Sequence, residues 1–332
     1  MPNNNNPINI LLYGVLVHEL IETLQKKLAM PAVITRLKED APRAVLVDHM
    51  SRAEVVVALQ YSNMPAAPKL RLLQVPGAGL DQIKFDEVPA HAHICNAYGH
   101  DVAGGEYVLL AMLAWCHEFV TAHESMKAGS WRMSGRTGAP LHDELYGKTI
   151  GILGLGPIGL AAARLAKAFG TTVLGCNRTV REQPDFVDQV YPLQDLHDFL
   201  GRCDFVAVCI ALAPQTVGLL DRAALLRMKK TAVVINVARG AIIDEDALFE
   251  ALRDKQIAGA VIDAWYRYPT PSDLTIAPSK HPFASLPNVL MTPHSSIWTH
   301  GMIERRWTDI AANIDALASD GKLKNVVRQP LG

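Results

Sequence analysis

The sequence predicts an α/β protein made of about two parallel-sheet domains, and three observations carry that expectation. The first is the stretch 149–174. A short apolar run reads as a buried strand, glycines follow at G-x-G-x-x-G spacing (Gly154, Gly156, Gly159), and an alanine-rich helical segment runs to Gly170. A second apolar strand from Thr172 then closes a β-α-β unit. The second is the alternation of short apolar strands with amphipathic segments on both sides of that unit, the pattern of parallel sheets covered by helices. The third is size. At 332 residues, 49% hydrophobic and 20% charged, the chain has room for about two domains with proper cores.

The glycine unit is a nucleotide-binding signature with a mechanism. Gly154 allows the tight turn, Gly156 lets the backbone approach a pyrophosphate, Gly159 lets the helix pack on the strand, and N–H groups at the helix start hold the phosphates. A competing signature fails: Gly147-Lys148-Thr149 resembles the end of a P-loop, but the glycine required five residues earlier is His142.

Taken in order, strands are expected at 8–13, 32–37, 55–59, 70–75 and 93–97, with a helix over 17–28. Val75-Pro-Gly77-Ala78-Gly79-Leu80-Asp81 is a glycine turn directly after a strand. It is either a plain loop or a place where backbone N–H groups point at a ligand. Residues 98–101 read as a turn, and 106–127 as one long helix, apolar almost all round in its first half and so expected to lie buried and to link the two domains. An exposed loop over 129–143 includes Trp131, read as packing. After the glycine unit come strands at 204–212, 232–237, 258–262 and 289–292, a helix over 222–228, and a closing helix over 302–318. The acids of Asp244-Glu-Asp suit a helix start better than a metal site.

Composition narrows the partners. A formal net charge of −1 without long like-charge runs argues against nucleic acid and anionic membranes. Apolar stretches such as 107–116 are far short of the roughly 18 residues of a membrane span. The chain opens on an asparagine tract at 3–6 in place of a basic leader. Five scattered cysteines (Cys95, Cys116, Cys176, Cys203, Cys209) form no paired framework. A cytoplasmic protein acting on small molecules is the expectation. No metal is expected, because His91-Ala-His93 has no third ligand nearby and His117-Glu118 lacks a second histidine at zincin spacing.

Ligands of open α/β sheets bind beyond the carboxyl ends of the strands, and three polar residues fall just past such ends: Arg239, Asp263 and His294. With Gly154-Leu-Gly156-Pro157-Ile158-Gly159, Asn236-Val237-Ala-Arg239-Gly240, Gly259-Ala-Val-Ile-Asp263 and Thr292-Pro-His294 in this order, the chain resembles the D-isomer-specific 2-hydroxyacid dehydrogenases. The 75–81 turn and the helix beginning at Glu106 extend the likeness over nearly the whole chain.

The resemblance implies a Rossmann nucleotide domain (residues 100–297) inserted into a flavodoxin-like substrate domain (1–99 and 298–332), and a homodimer formed through the nucleotide domains. It also implies roles. Arg239 would grip the substrate carboxylate and polarise its carbonyl, the backbone of Ala78 and Gly79 would hold the carboxylate, and His294 would shuttle the proton. Asp263 would hold the nicotinamide amide, with Val237 beside it in the cofactor site. Two departures stand out. The glutamate that the family usually places five residues after the aspartate, beside the histidine, is Tyr268, and the position six before Glu106, commonly asparagine, is His100, which makes formate the less suitable substrate. Tyr268 would then give His294 a hydrogen bond without a charge, and Arg267, if it faces inward, would push the histidine pKa down. The alternative is that Tyr268 packs with Trp265 and Tyr266 while another acid, such as Asp273, supports His294.

Cofactor choice is legible at the end of the strand after the glycine unit. Asn177-Arg178-Thr179 carries no carboxylate before Glu182, so Arg178 is placed to pair with a 2′-phosphate, and NADP(H) is expected with NAD(H) possible. The expected activity is reduction of a small 2-keto acid of glyoxylate or hydroxypyruvate type. The alternative is a nucleotide-sensing binding protein resembling the C-terminal-binding-protein corepressors. Arg239 and His294 together favour the enzyme.

Overall fold

The computed structural model describes residues 6–14, 21–179, 183–270, 273–319 and 321–330. By its internal contacts the chain divides into two compact units, residues 1–100 with 299–332 and residues 101–298.

The first unit begins β1 (Ile8–Tyr13), α1 (Ile21–Lys27), β2 (Ala32–Leu37), α2 (Arg43–Arg52), β3 (Val55–Ala58), β4 (Leu72–Gln74) and β5 (His93–Cys95). Part of the expected helix over 17–28 lies outside the described residues. The second unit runs through α3 (Asp101–Cys116), α4 (Phe119–Lys127), β6 (Thr149–Leu153), α5 (Pro157–Ala168), β7 (Thr172–Asn177), β8 (Gln189–Pro192), α6 (Leu196–Arg202), β9 (Phe205–Val208), α7 (Arg222–Leu225), β10 (Val233–Asn236), α8 (Glu245–Arg253), β11 (Gly259–Ile262) and β12 (Val289–Met291). The chain then returns to the first unit with α9 (His300–Ala318) and β13 (Val326–Arg328).

Among the described residues the first unit holds a six-stranded sheet in the order β13-β5-β4-β3-β1-β2, parallel except for β13 against β5. The second holds a seven-stranded parallel sheet, β12-β11-β10-β9-β6-β7-β8. Its strands are apolar on both faces because both are covered. In β10, Val233 and Ile235 pack into the core that includes α3 and α5, while Val234 packs into the opposite core with α7 and α8. The two-residue repeat of a strand thus divides one apolar run between two cores.

The single helix expected over 106–127 is corrected. It starts earlier, at Asp101, and Glu118 in a left-handed conformation (φ +46°) separates α3 from α4. Nor is the first half buried all round: Val108, Ala111 and Met112 face the core, but Leu110 is 58% exposed. Gly105 explains the buried side. A Cβ there would lie 2.8 Å from the Ala161 Cβ, so the glycine brings α3 against α5. Two short strands, β8 and β13, had no apolar run to announce them, and the expected strand over 204–212 ends at Val208.

Candidate active site

The order of the second sheet reverses between β9 and β6, and a crevice opens beyond the carboxyl ends of strands at such a switch point. The glycine turn sits there. Gly154 adopts φ +101°, and a Cβ on it would lie 2.5 Å from the Ile210 backbone that follows β9. Gly159 is held so close to the turn that a Cβ would meet the Gly154 carbonyl oxygen at 2.0 Å. Gly156 differs: it caps α5, and no heavy atom lies within 4 Å of where its Cβ would be. Pro157 opens the helix, Ile158 packs on Gly104 of α3, and the Leu160 N–H donates to the Gly156 carbonyl at 2.8 Å. The N–H groups of Ile158 and Gly159 therefore start the helix without a helical partner. Open ground in front of unpaired helix-start N–H groups fits a pyrophosphate.

β7 lies beside β6, with the Gly154 N–H donating to the Cys176 carbonyl at 2.8 Å. Asn177 ends that strand and its Nδ2 donates to the Thr179 carbonyl at 3.2 Å, while Arg178 and Thr179 are exposed. Glu182 lies outside the described residues. Val237, buried, follows β10 directly.

Two residues further on, Arg239 is set by its neighbours. Asn236 is buried and clasps the turn, its Nδ2 donating to the Arg239 carbonyl (3.0 Å) and its Oδ1 accepting from the Ala238 N–H (3.1 Å). Arg239 Nη1 donates to the Ala238 carbonyl at 2.9 Å. Gly240 must be glycine, because a Cβ would lie 2.4 Å from the Trp265 carbonyl oxygen. The arginine turn is thus packed on the segment leaving β11.

That segment begins with Asp263, which is fully buried. Its carboxylate accepts from Thr292 Oγ1 at 2.6 Å, from the Ser295 N–H at 2.8 Å and from the Ser296 N–H at 3.1 Å. Thr292 Oγ1 also shares a hydrogen bond with the Tyr107 hydroxyl of α3, and Trp265 Nε1 donates to the Thr292 carbonyl at 2.8 Å. The turn so pinned carries His294 at φ +56°, a left-handed conformation uncommon for a side chain of this size and sustained by the bonds around it.

His294 Nδ1 and the Tyr268 hydroxyl lie 2.6 Å apart in a hydrogen bond, and the same hydroxyl accepts the Trp265 N–H at 3.0 Å. Burial holds the His294 pKa below the usual imidazole range. Asp263 opposes that shift and the Arg239 charge adds to it. The depressing cation is therefore Arg239. Arg267, the expected candidate, is exposed, with its N–H on the Pro278 carbonyl. Asp273, the alternative support for the histidine, instead accepts from Thr275. Trp265 and Tyr266 pack on Phe283, whereas the Tyr268 ring lies 5.2 Å from that of His294.

Residues 109–296 match the family model described as D-isomer specific 2-hydroxyacid dehydrogenase, NAD binding domain. The chain belongs to the D-isomer-specific 2-hydroxyacid dehydrogenase family. It is an NAD(P)-dependent oxidoreductase of that family. A glyoxylate reductase of Korarchaeum cryptofilum is 29% identical over 303 residues, covering 88% of both chains. A D-3-phosphoglycerate dehydrogenase of Methanocaldococcus jannaschii is 28% identical over 330 residues, and the chain spans 60% of that protein's length. Among solved structures, an NADPH-dependent glyoxylate/hydroxypyruvate reductase from Sinorhizobium meliloti, in complex with NADP and malonate, is 26% identical at a TM-score of 0.80, covering 98% of each chain.

In the first unit of the dehydrogenase, the 75–81 turn follows β4. Asn96, buried, donates from Nδ2 to the Ala78 carbonyl at 3.1 Å, and the Ala97 N–H donates to the Gly77 carbonyl at 3.2 Å. The carbonyls are thereby engaged, while the Ala78 and Gly79 N–H groups donate to none of the described residues. His100 is buried and stacks on Tyr98. Among the described residues no group of three potential ligands could hold a metal ion, and no helix is long and apolar enough to cross a membrane.

Sequence reasoning missed the chain Tyr107–Thr292–Asp263. Thr292 stands just before Pro293-His294 and could have been weighed as a hydroxyl partner for the buried acid. Tyr107 is 185 residues away from it, and no local pattern points to it.

Proposed function

We propose that the dehydrogenase works mainly as a reductase of small 2-keto acids of glyoxylate or hydroxypyruvate type, with NADP(H) preferred. The observation that carries this reading is the placement of Arg239 and His294 after β10 and β12, the two neighbours of β11, with the charge of one felt by the ring of the other. A guanidinium suits a carboxylate, and an imidazole hydrogen-bonded on Nδ1 offers Nε2 to the carbonyl being reduced. The names of the K. cryptofilum and S. meliloti relatives support the substrate class.

When bound, the reduced nicotinamide supplies the hydride. Arg239 grips the carboxylate and polarises the carbonyl, and protonated His294, oriented by Tyr268, gives its proton to the developing alkoxide. In the first unit the Ala78 and Gly79 N–H groups serve as carboxylate donors. The Gly154–Gly159 turn receives the pyrophosphate and Val237 lines the cofactor site. Asp263 has about four acceptor positions, three of them used by the 292–296 turn, and the last is assigned to the carboxamide. Turnover of glyoxylate, hydroxypyruvate, pyruvate or phenylpyruvate tests the reading. No turnover of any with either cofactor would leave the nucleotide-sensing binding protein in its place.

Asn177, Arg178 and Thr179 are assigned to the adenosine ribose. An ion pair between Arg178 and the 2′-phosphate is expected to contribute roughly 1.5–3 kcal/mol, a preference of about 10- to 100-fold for NADPH in kcat/KM. Equal values, or NADH ahead, would reject it, and Arg178→Ala should remove the preference.

The partner is proposed to be a second copy of the chain. Leu110, Phe119, Trp131, Leu141 and Tyr146 of the second unit are all more than half exposed, apolar surface that a second copy would cover. Light scattering at the monomer mass would dismiss the dimer. A cytoplasmic location is inferred from the five free cysteines, four of them buried.

A further inference from the structure

At the other end of the first unit's sheet from the 75–81 turn, a cavity of about 670 Å³ opens among Arg71, His91, His93, Lys322, Leu323 and Gln329. None of these has a part in the reduction. Arg71 immediately precedes β4 and His93 opens β5, and the His93 N–H donates to the Arg71 carbonyl at 2.8 Å, so the two side chains leave adjacent strands at the same edge. Lys322 follows α9 and Gln329 follows β13. The volume falls within the roughly 300–1,000 Å³ typical of small-molecule sites.

Among the described residues the cavity lining carries charge of one sign. Every titratable residue that lines it, among the described residues, is a base. Arg71 is fixed in place: its Nη2 donates to the Leu317 carbonyl at the end of α9 (2.8 Å), and Glu54 lies 3.8 Å from its Nη1. Glu54 is itself engaged by the Asn9 N–H at 3.1 Å. His93 Nδ1 is buried with no hydrogen-bond partner among the described residues. Burial first, then the Arg71 charge, holds the His93 ring below the usual imidazole range. His93 thus lies beside a fixed guanidinium in a lining that, among the described residues, holds bases and no acid, and an anionic ligand would complement it.

We propose that this cavity binds a small organic polyanion, a molecule bearing two or more carboxylate or phosphate groups on a short carbon skeleton. Arg71 and Lys322 supply the charges, the histidines and Gln329 supply further donors, and Leu323 takes the skeleton. A lone inorganic ion would leave most of the volume unfilled.

Calorimetry with citrate on the full chain tests this. Citrate also suits the keto acid site, so the titration is made in an Arg239→Ala protein, which removes that site's principal cation. Saturable binding is expected there, weakened about 10-fold or more by adding His93→Gln and Lys322→Gln. The latter pair in the otherwise unchanged enzyme should leave glyoxylate reduction intact, showing that the fold is preserved. No saturable binding in the Arg239→Ala protein, or an unchanged isotherm with the pair added, would overturn the proposal. Because the readout is binding in a protein stripped of its catalytic arginine, the outcome is independent of whether the reductase reading holds.

Discussion

Arg239→Ala is expected to abolish keto acid reduction while leaving cofactor affinity within about twofold of the parent. The guanidinium is assigned to the substrate alone, so its removal deletes a charged hydrogen-bond pair of roughly 1.5–3 kcal/mol. It also deletes polarisation of the carbonyl in the transition state, for which comparable donors contribute roughly 2.7–4 kcal/mol. Taken together these correspond to a loss of about 10³- to 10⁵-fold in kcat/KM. The fold is expected to tolerate the change, because Asn236 holds the turn through the Arg239 backbone carbonyl and the Ala238 N–H, both of which stay, while the bond from Arg239 Nη1 to the Ala238 carbonyl is lost. The close approach of the Trp265 backbone is secured by Gly240, which stays. Stopped-flow turnover and fluorescence titration with NADPH separate the two effects. Turnover within tenfold of the parent would remove Arg239 from the carboxylate site, and a parallel loss of NADPH binding would mean that the turn after β10 had collapsed.

Much of the architecture was legible because it rests on local signals. The runs at Ile8–Tyr13 and Gly259–Ile262 are mainly apolar, and Ala32–Leu37 is β-branched and follows Pro31; all three form strands where expected. The glycine spacing at 154–159 marks a turn in which Gly159 closes on Gly154 within the motif itself, so sequence alone could read it, although the Ile210 backbone that also crowds Gly154 comes from after β9. What escaped depends on distance in the chain. β13 pairs with β5 through a register set by the return of α9, beyond anything Val326–Arg328 says locally. The break at Glu118 carries no glycine or proline, so the helical pattern ran across it unmarked. At the site, Arg239, Asp263 and His294 were visible as polar residues after apolar strands. Sequence could not say that the Asp263 carboxylate accepts three donors from the turn carrying His294, or that Arg239 and not Arg267 depresses the histidine. Both follow from strand order, which sets β11 between β10 and β12.

The strongest effect after Arg239 is expected at His294, where His294→Gln should lower kcat for reduction by roughly 10²- to 10⁴-fold, the usual range for a general acid. Reduction needs the imidazolium, so activity is present below the histidine pKa and is lost as pH rises through it. The structure holds that pKa below the usual imidazole range, chiefly by burial and further by Arg239, with Asp263 in opposition. The alkaline limb of kcat/KM, which reports the free enzyme, is therefore expected at lower pH than in relatives with a glutamate in place of Tyr268. The tyrosine hydroxyl offers His294 a hydrogen bond where the glutamate would bring a carboxylate. Two substitutions separate charge from orientation. Tyr268→Glu places a carboxylate where the hydroxyl meets Nδ1 at 2.6 Å and should move the limb to higher pH. Tyr268→Phe keeps the ring beside the imidazole but removes the bond, and should lower kcat by about tenfold with little change in KM, because a His294 ring that can turn presents Nε2 less often. A pH–rate profile settles both. If Tyr268→Phe left the limb and kcat unchanged, the hydroxyl would have no part in orienting His294. If His294→Gln kept a parental alkaline limb, the titrating acid would be another group.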